Sequence, residues 1–191
     1  MTKPPLAKTK GFSLIEIVIV ISISTILFLV VAMVYYISQS TYQKTDTRAE
    51  IIQNGRVITD RIIRELRQSQ SLVTALPDDN SNPATIPSEI IFQDGHDTTD
   101  IYYIKYYLLG TDIMRNYMVY YFASDPDTYV YSYDTDQYGN EPLSRVLDTR
   151  VIGEYVTDLE FWGNGLVNIN LYLNKNSETI NISTSIYGRN L

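Results

Sequence analysis

Lys10-Gly11-Phe12-Ser13-Leu14-Ile15-Glu16 opens the apolar run Ile17 to Ile37, which holds no charged residue. At ~1.5 Å of rise per residue, a helix through that run covers roughly 30 Å, the thickness of a bilayer's hydrocarbon core. Glu16 stands at the head of the run, where an isolated charge is costly and calls for a counter-charge or a function. An ordinary secretory signal fits poorly. Its apolar region is about 7–15 residues long and ends at a small-residue cleavage site. Here the run is longer, and Tyr35-Tyr36-Ile37-Ser38-Gln39-Ser40 offers no such site. A plain single-pass anchor fits the length but leaves Glu16 without a purpose.

A leader with Lys3, Lys8 and Lys10, then Gly11-Phe12, then Glu16 as the fifth residue counted from Phe12, combines charge, spacing and position. This combination resembles the class III signal of the type IV pilins and of the pseudopilins of type II secretion and competence systems. The resemblance implies that prepilin peptidase cuts between Gly11 and Phe12 and methylates the new amine of Phe12. It implies also that the apolar run stays in the mature protein. In assembly, Glu16 would pair with the α-amine of Phe12 on a neighbouring subunit.

The 191 residues suffice for one domain plus an anchor. Formal net charge is −7, and loss of the three leader lysines takes the side chains to −10. So acidic a chain lacks the basic footprint of a nucleic-acid binder, and no nucleic-acid partner is expected. No cysteine is present, so no disulfide staples the fold. Many major pilins close a C-terminal loop with a disulfide, so its absence leans toward a minor pilin or another lineage. The leader lysines lie N-terminal to the span, which by the positive-inside rule keeps the N-terminus cytoplasmic and sends the remainder out of the inner membrane.

Past Ile37 the periodicity continues. Ile51, Gly55, Ile58, Ile62 and Leu66 recur at steps of four and three, with Arg48, Glu50, Arg56, Asp60, Arg61, Arg64, Glu65 and Arg67 on the other faces. The spacing predicts one helix from about Ser13 to about Ser71, its charged face a solvated surface. The organisation expected is a leader over 1–11, a transmembrane half of the helix over 12–38, an amphipathic stem over 39–72 and a β-rich head over 73–191. That is an α+β fold, the lollipop plan of the pilins, with the stem stripe covering an antiparallel sheet.

Pro77, Pro83 and Pro87 mark a loop at the start of the head. Ser88–Gln93, Ile101–Leu109 and Tyr117–Ala123 read as strands; Tyr129–Tyr133 and Leu143–Leu147 are weaker candidates around a polar loop. Val167, Ile169, Leu171 and Leu173 alternate with polar residues, as do Ile180, Ile182 and Ile186. Each reads as a strand with one buried face, and Tyr155–Trp162 joins them in a meander through turns at Gly163-Asn164-Gly165 and Asn174–Ser177. Val156–Phe161 and the terminal Tyr187-Gly188-Arg189-Asn190 look like the minor pilins grouped with the J-type pseudopilin.

Catalysis finds little support. The chain has no Cys nucleophile, one imidazole, and no phosphate loop or zinc spacing. His96, in Asp94-Gly95-His96-Asp97, reads as a surface-turn histidine, since zinc would need more N/S ligands than the chain offers. Asp134, Asp136 and Glu141, with Gly139 at the sixth position of their run, resemble the start of a calcium loop. Tyr138 replaces an oxygen ligand, and Arg145 stands where the twelfth-position Glu belongs. A solvated hairpin loop is the preferred reading, and no cofactor is expected. Tyr102-Tyr103, Tyr106-Tyr107 and Tyr120-Tyr121 put rings on both faces of their strands, as sheet packing or as an exposed patch for a partner.

The function expected is structural: a minor pilin-like subunit built into a type IV pilus or type II secretion pseudopilus. Its partners would be prepilin peptidase, other pilin or pseudopilin subunits, the assembly platform and the membrane. A competence (DNA-uptake) pseudopilin and an adhesive tip pilin are the alternatives.

Overall fold

A single helix, α1 (Leu14–Gln68), carries the chain from its apolar run into a β-rich region. The computed structural model describes residues 11–96 and 100–188. The leader lysines, Asp97, Arg189 and Asn190 lie outside those residues. The chain divides into two compact units, residues 1–46 and 47–191.

In the first unit the helix carries apolar side chains on every side, and all of them are exposed. The segment is long and apolar enough to cross a membrane. Ser22 and Thr25 donate their hydroxyls to the carbonyls of Val18 and Ile21, each at 2.8 Å, so neither leaves a polar group unsatisfied against hydrocarbon.

In the second unit α1 buries Ile51, Gly55, Ile58, Thr59, Ile62 and Leu66, the stripe expected from the periodicity. Gly55 stands where a side chain would meet the Ile182 Cδ1 and Leu173 Cδ1 methyls, so the missing Cβ lets the helix lie close on the sheet. The helix stops at Gln68, short of Ser71, because the backbone beyond it finds other partners. Ser69 turns its hydroxyl back to the Leu66 carbonyl at 2.8 Å. Gln70 N–H donates to Gln93, and Val73 N–H to Ile91. Gly95 lies so close to the Gln68 carbonyl that a Cβ could not be fitted.

After a 3-10 turn at Pro83–Thr85, capped by the Asn82 side chain, eight strands follow. They are β1 (Glu89–Gln93), β2 (Tyr103–Leu109), β3 (Asp112–Phe122), β4 (Asp125–Val130), β5 (Leu143–Gly153), β6 (Val156–Trp162), β7 (Val167–Lys175) and β8 (Glu178–Ile186). All pairings are antiparallel. β1 to β5 form one sheet, in which β3 pairs β2 and β4 along one edge and β5 along the other. β6, β7 and β8 form the expected meander. Hydrogen bonds from Phe161 N–H to Pro87 and from Gly163 N–H to Pro77 fasten β6 to the loop that precedes and enters β1.

Two strands run further than alternation predicts. β3 begins at Asp112, because the tight turn at Gly110, with φ 65°, closes a hairpin on β2. β5 extends to Gly153 against the length of β3, with irregular register between Ile113 and Met114 and between Tyr117 and Met118. Such bulges break the period-two pattern, which is why Asp148–Gly153 does not read as a strand. The β4 strand lies earlier than Tyr129–Tyr133, and Tyr131 and Tyr133 fall in the loop beyond it.

One core serves both sheets and the stem. Ile58, Ile62 and Leu66 of α1 join Phe92, Ile104, Tyr106 and Ile113 of the larger sheet and Val156, Phe161, Ile169, Leu171 and Leu173 of the smaller. One long helix with antiparallel sheets packed on its stem gives an α+β, pilin-like architecture.

Candidate functional site

The site nominated by the sequence is the first turn of α1. Residues 11–13 precede the helix, and Ser13 supplies the carbonyl that accepts the Glu16 N–H at 3.0 Å and the Ile17 N–H at 3.2 Å. Glu16 is thus a first-turn carboxylate, where the helix dipole favours negative charge. Ser13-Leu14-Ile15-Glu16 has the S-x-x-E spacing of a capping box, a local reason for a carboxylate at this position. Phe12 is 80% exposed and Gly11 is open on every side. The Gly-Phe bond is thus exposed and lies in non-helical chain just ahead of α1. Gly11, Phe12 and Glu16 therefore stand within two turns of chain, at the mouth of a membrane-length helix. Among the described residues no cation is paired with Glu16.

The other nominated residues fall into loops. Asp136 accepts the N–H groups of Tyr138 and Asn140 at 2.8 Å on one oxygen and the Asn140 side-chain amide at 2.8 Å on the other. The Asn140 side chain first, and then these backbone donors, hold its carboxyl below the usual range. Asp134 takes the Tyr131 N–H at 2.9 Å. Both carboxylates are committed to shaping the loop, and Glu141 is exposed beside them. The described residues contain no group of three His, Cys, Asp or Glu able to hold a metal ion. His96 is half exposed, with its Nδ1 2.5 Å from Asp94, whose carboxylate also takes the His96 N–H at 3.1 Å.

The tyrosine pairs prove to be sheet packing. Tyr103 and Tyr106 are fully buried, while their neighbours are half-buried. Tyr103 stacks edge-on with Tyr120 at 4.8 Å, and Tyr102 lies on Tyr117 at 4.9 Å.

One polar group is not apparent from periodicity. Glu65, on the charged side of the stem, turns into the core: it accepts Arg115 Nε at 2.9 Å and the Tyr106 hydroxyl at 2.5 Å. Glu65 and Arg115 are each 13% exposed. Burial first, and the Glu65 charge second, push the Tyr106 phenol far above its usual range. The available signal was Arg115 standing between Ile113 and Tyr117, on the inward-facing positions of β3.

The chain has no match among curated proteins and none among solved structures. Its N-terminal segment does match a known family. Residues 6–32 fit the family model described as the prokaryotic N-terminal methylation motif, and the chain thus carries the class III signal of the type IV pilins and pseudopilins.

Proposed function

We propose that this chain is a minor pilin-like structural subunit, cut by prepilin peptidase between Gly11 and Phe12, methylated on the Phe12 amine, and built into a type IV pilus or type II secretion pseudopilus. The observation that carries the reading is the methylation motif over residues 6–32 lying across Gly11, Phe12 and Glu16 at the start of a membrane-length helix. The first half of α1 is the anchor. Lys3, Lys8 and Lys10 hold the N-terminus on the cytoplasmic side of the inner membrane, and the β-rich unit lies outside. The likeness of Val156–Phe161 and the chain end to the J-type group supports a minor subunit.

Glu16 is the assembly residue in this reading. A carboxylate at the edge of hydrocarbon needs a cation. The Phe12 amine of a neighbouring subunit, freed by cleavage, supplies one and rewards docking at a single axial offset.

Mass spectrometry of the mature protein tests the processing: the expected result is loss of residues 1–11 and a methylated Phe12. Gly11→Val should leave full-length protein in the membrane. Glu16→Ala should insert and be cleaved normally yet be lost from sheared filaments; recovery there at wild-type level would overturn the pairing role.

A further inference from the structure

The outer sides of the two sheets are closed in different ways. β1 is flanked by residues 71–74: Val73 N–H donates to the Ile91 carbonyl at 2.8 Å, Gln93 N–H to that of Ser71 at 2.9 Å, and Leu72 bridges Phe92. β6 is held by the carbonyls of Pro87 and Pro77, which take the N–H groups of Phe161 and Gly163. β4 and β5 are open but guarded. β4 carries Asp125, Pro126 and Asp127. β5 carries Arg145, Asp148 and Arg150, and its register on β3 is irregular at two places. Charge, proline and bulges are the features by which an edge strand resists pairing with another chain.

β8 has none of them. From Thr179 to Ile186 it holds no charge, proline or glycine, and its ladder with β7 runs without a register shift. Among the described residues no strand or loop pairs with its outer side. The turn before it fixes which backbone groups are free. Asn176 and Ser177, at φ 49° and 70°, form a two-residue link that makes Lys175 and Glu178 the closing hydrogen-bonded pair. Alternation from Glu178 then turns the backbones of Ile180, Ile182, Thr184 and Ile186 toward β7, and those of Thr179, Asn181, Ser183 and Ser185 outward. Ile180, Ile182 and Thr184 stay half-exposed along this edge.

We propose that the outer side of β8 takes an edge strand from a different pilin-type subunit, which extends the β6–β8 sheet by one strand. A second copy of this chain does not fit the place. Subunits of a filament stand in one orientation and meet through unlike surfaces, so β8 of one copy would need a strand other than β8 from the next. β1 and β6 are covered and β4 and β5 are guarded, so this chain has no such strand to offer. The partner strand is uncharged, with aliphatic or β-branched residues beside Ile180 and Ile182 and small polar residues beside Asn181 and Ser183. Main-chain hydrogen bonds give such a contact its strength, and the alternating side chains select the partner. The inference rests on the filament reading above for the reason that pilin subunits meet, and it adds which element of this chain meets them.

Photo-cross-linking of the full-length chain, in the cells that produce it, tests the contact. Benzoylphenylalanine in place of Thr179 should join, on illumination, a different chain that has its own N-terminal methylation motif, with the joined peptide in a strand. The same probe in place of Thr128, on β4, should give about tenfold less product. Asn181→Pro removes an outward N–H, leaves the β7 ladder whole and should cut the Thr179 yield about tenfold. Asn181→Lys, which adds the kind of charge that β4 and β5 carry, should do the same. Trp162 fluorescence in detergent reports whether the fold is kept, and where proline disturbs it the lysine variant decides. Product no greater than at Thr128, product indifferent to the substitutions, a product of two copies of this chain, or a partner without the motif each overturns the contact. Leader removal and recovery in sheared filaments are scored in the same cells. Processed, filament-borne protein without the cross-link removes this contact and leaves the filament reading standing. A substitution-sensitive cross-link to a motif-bearing chain, made by protein that keeps its leader and stays out of filaments, upholds the contact and removes that reading.

Discussion

On α1, Ile19, Ile21 and Ile23 are 52%, 60% and 54% exposed, whereas Ile51, Ile58 and Ile62 on the same helix are fully buried. The residue type and the backbone are alike in both halves. What differs is the arrangement of the apolar positions. In Ile17–Ile37 they occupy every side of the helix, a surface that water would not tolerate and hydrocarbon accepts. In Ile51–Leu66 they form a stripe one side wide, and burying each isoleucine against the sheets contributes about 1.5–3 kcal/mol. The first half is suited to a solvent; the second holds a fold together.

Paired truncations break or sharpen this contrast. Ile62→Ala should destabilise the 47–191 unit by about 2–5 kcal/mol, the transfer loss plus an unfilled cavity. Ile23→Ala should leave the same transition unmoved. Trp162 is the sole tryptophan and lies in β6, so its fluorescence in the detergent-solubilised full chain reports that unit alone. A shift with Ile23→Ala would mean that the two halves of the helix do not act independently.

The next effect concerns charge within the buried half. Glu65→Gln leaves Arg115 under the stem without its counter-charge and should cost about 2 kcal/mol on the same thermal transition. Replacing the whole group, as Glu65→Leu with Arg115→Met and Tyr106→Phe, should recover most of that loss. If the triple variant is no better than the single one, the group is needed for more than its own neutralisation.

Alkali supplies a smaller, graded effect. Burial raises the phenols of Tyr103, Tyr106 and Tyr120 in the folded chain. The folded state therefore holds these protons more tightly than the unfolded one. Their contribution is complete below the unfolded phenol value of about 10 and is lost as pH rises beyond it. Melting temperature should fall above that pH, and Tyr106→Phe should make the fall shallower. An equally steep fall in the variant would place the sensitivity elsewhere.

Calcium should do least. Because Asp134 and Asp136 are already engaged by loop N–H groups, micromolar calcium should leave the melting temperature unchanged. A rise of several degrees that disappears in Asp134→Ala would make the 134–141 loop a cation site.

Much of this arrangement is legible in the chain alone because the interactions behind it are local. The membrane-length run, its boundary at Gly11-Phe12, the first-turn Glu16 and the stem stripe each depend on residues within a few turns of one another. The β6–β8 meander is equally local: alternation sets each buried face, and Gly163-Asn164-Gly165 and Asn174–Ser177 set the turns. Bulged strands escape such reading, as β5 does beyond Leu147. The methylation motif was readable for a further reason, since its charge, glycine and acid stand at fixed spacing.

By itself the sequence determined which part of the helix suits hydrocarbon, which face of the stem is apolar, and where the N-terminal signal lies. Only the tertiary structure decided that the strands divide into two sheets, that β5 returns to pair the free edge of β3, and that Glu65 leaves the solvated face to meet Arg115 and Tyr106. These choices join residues 41 and 50 positions apart for the Glu65 contacts, or run along irregular ladders. Their energy comes from excluding water between elements that no short window of sequence contains, so it exists only once the chain has closed over its core.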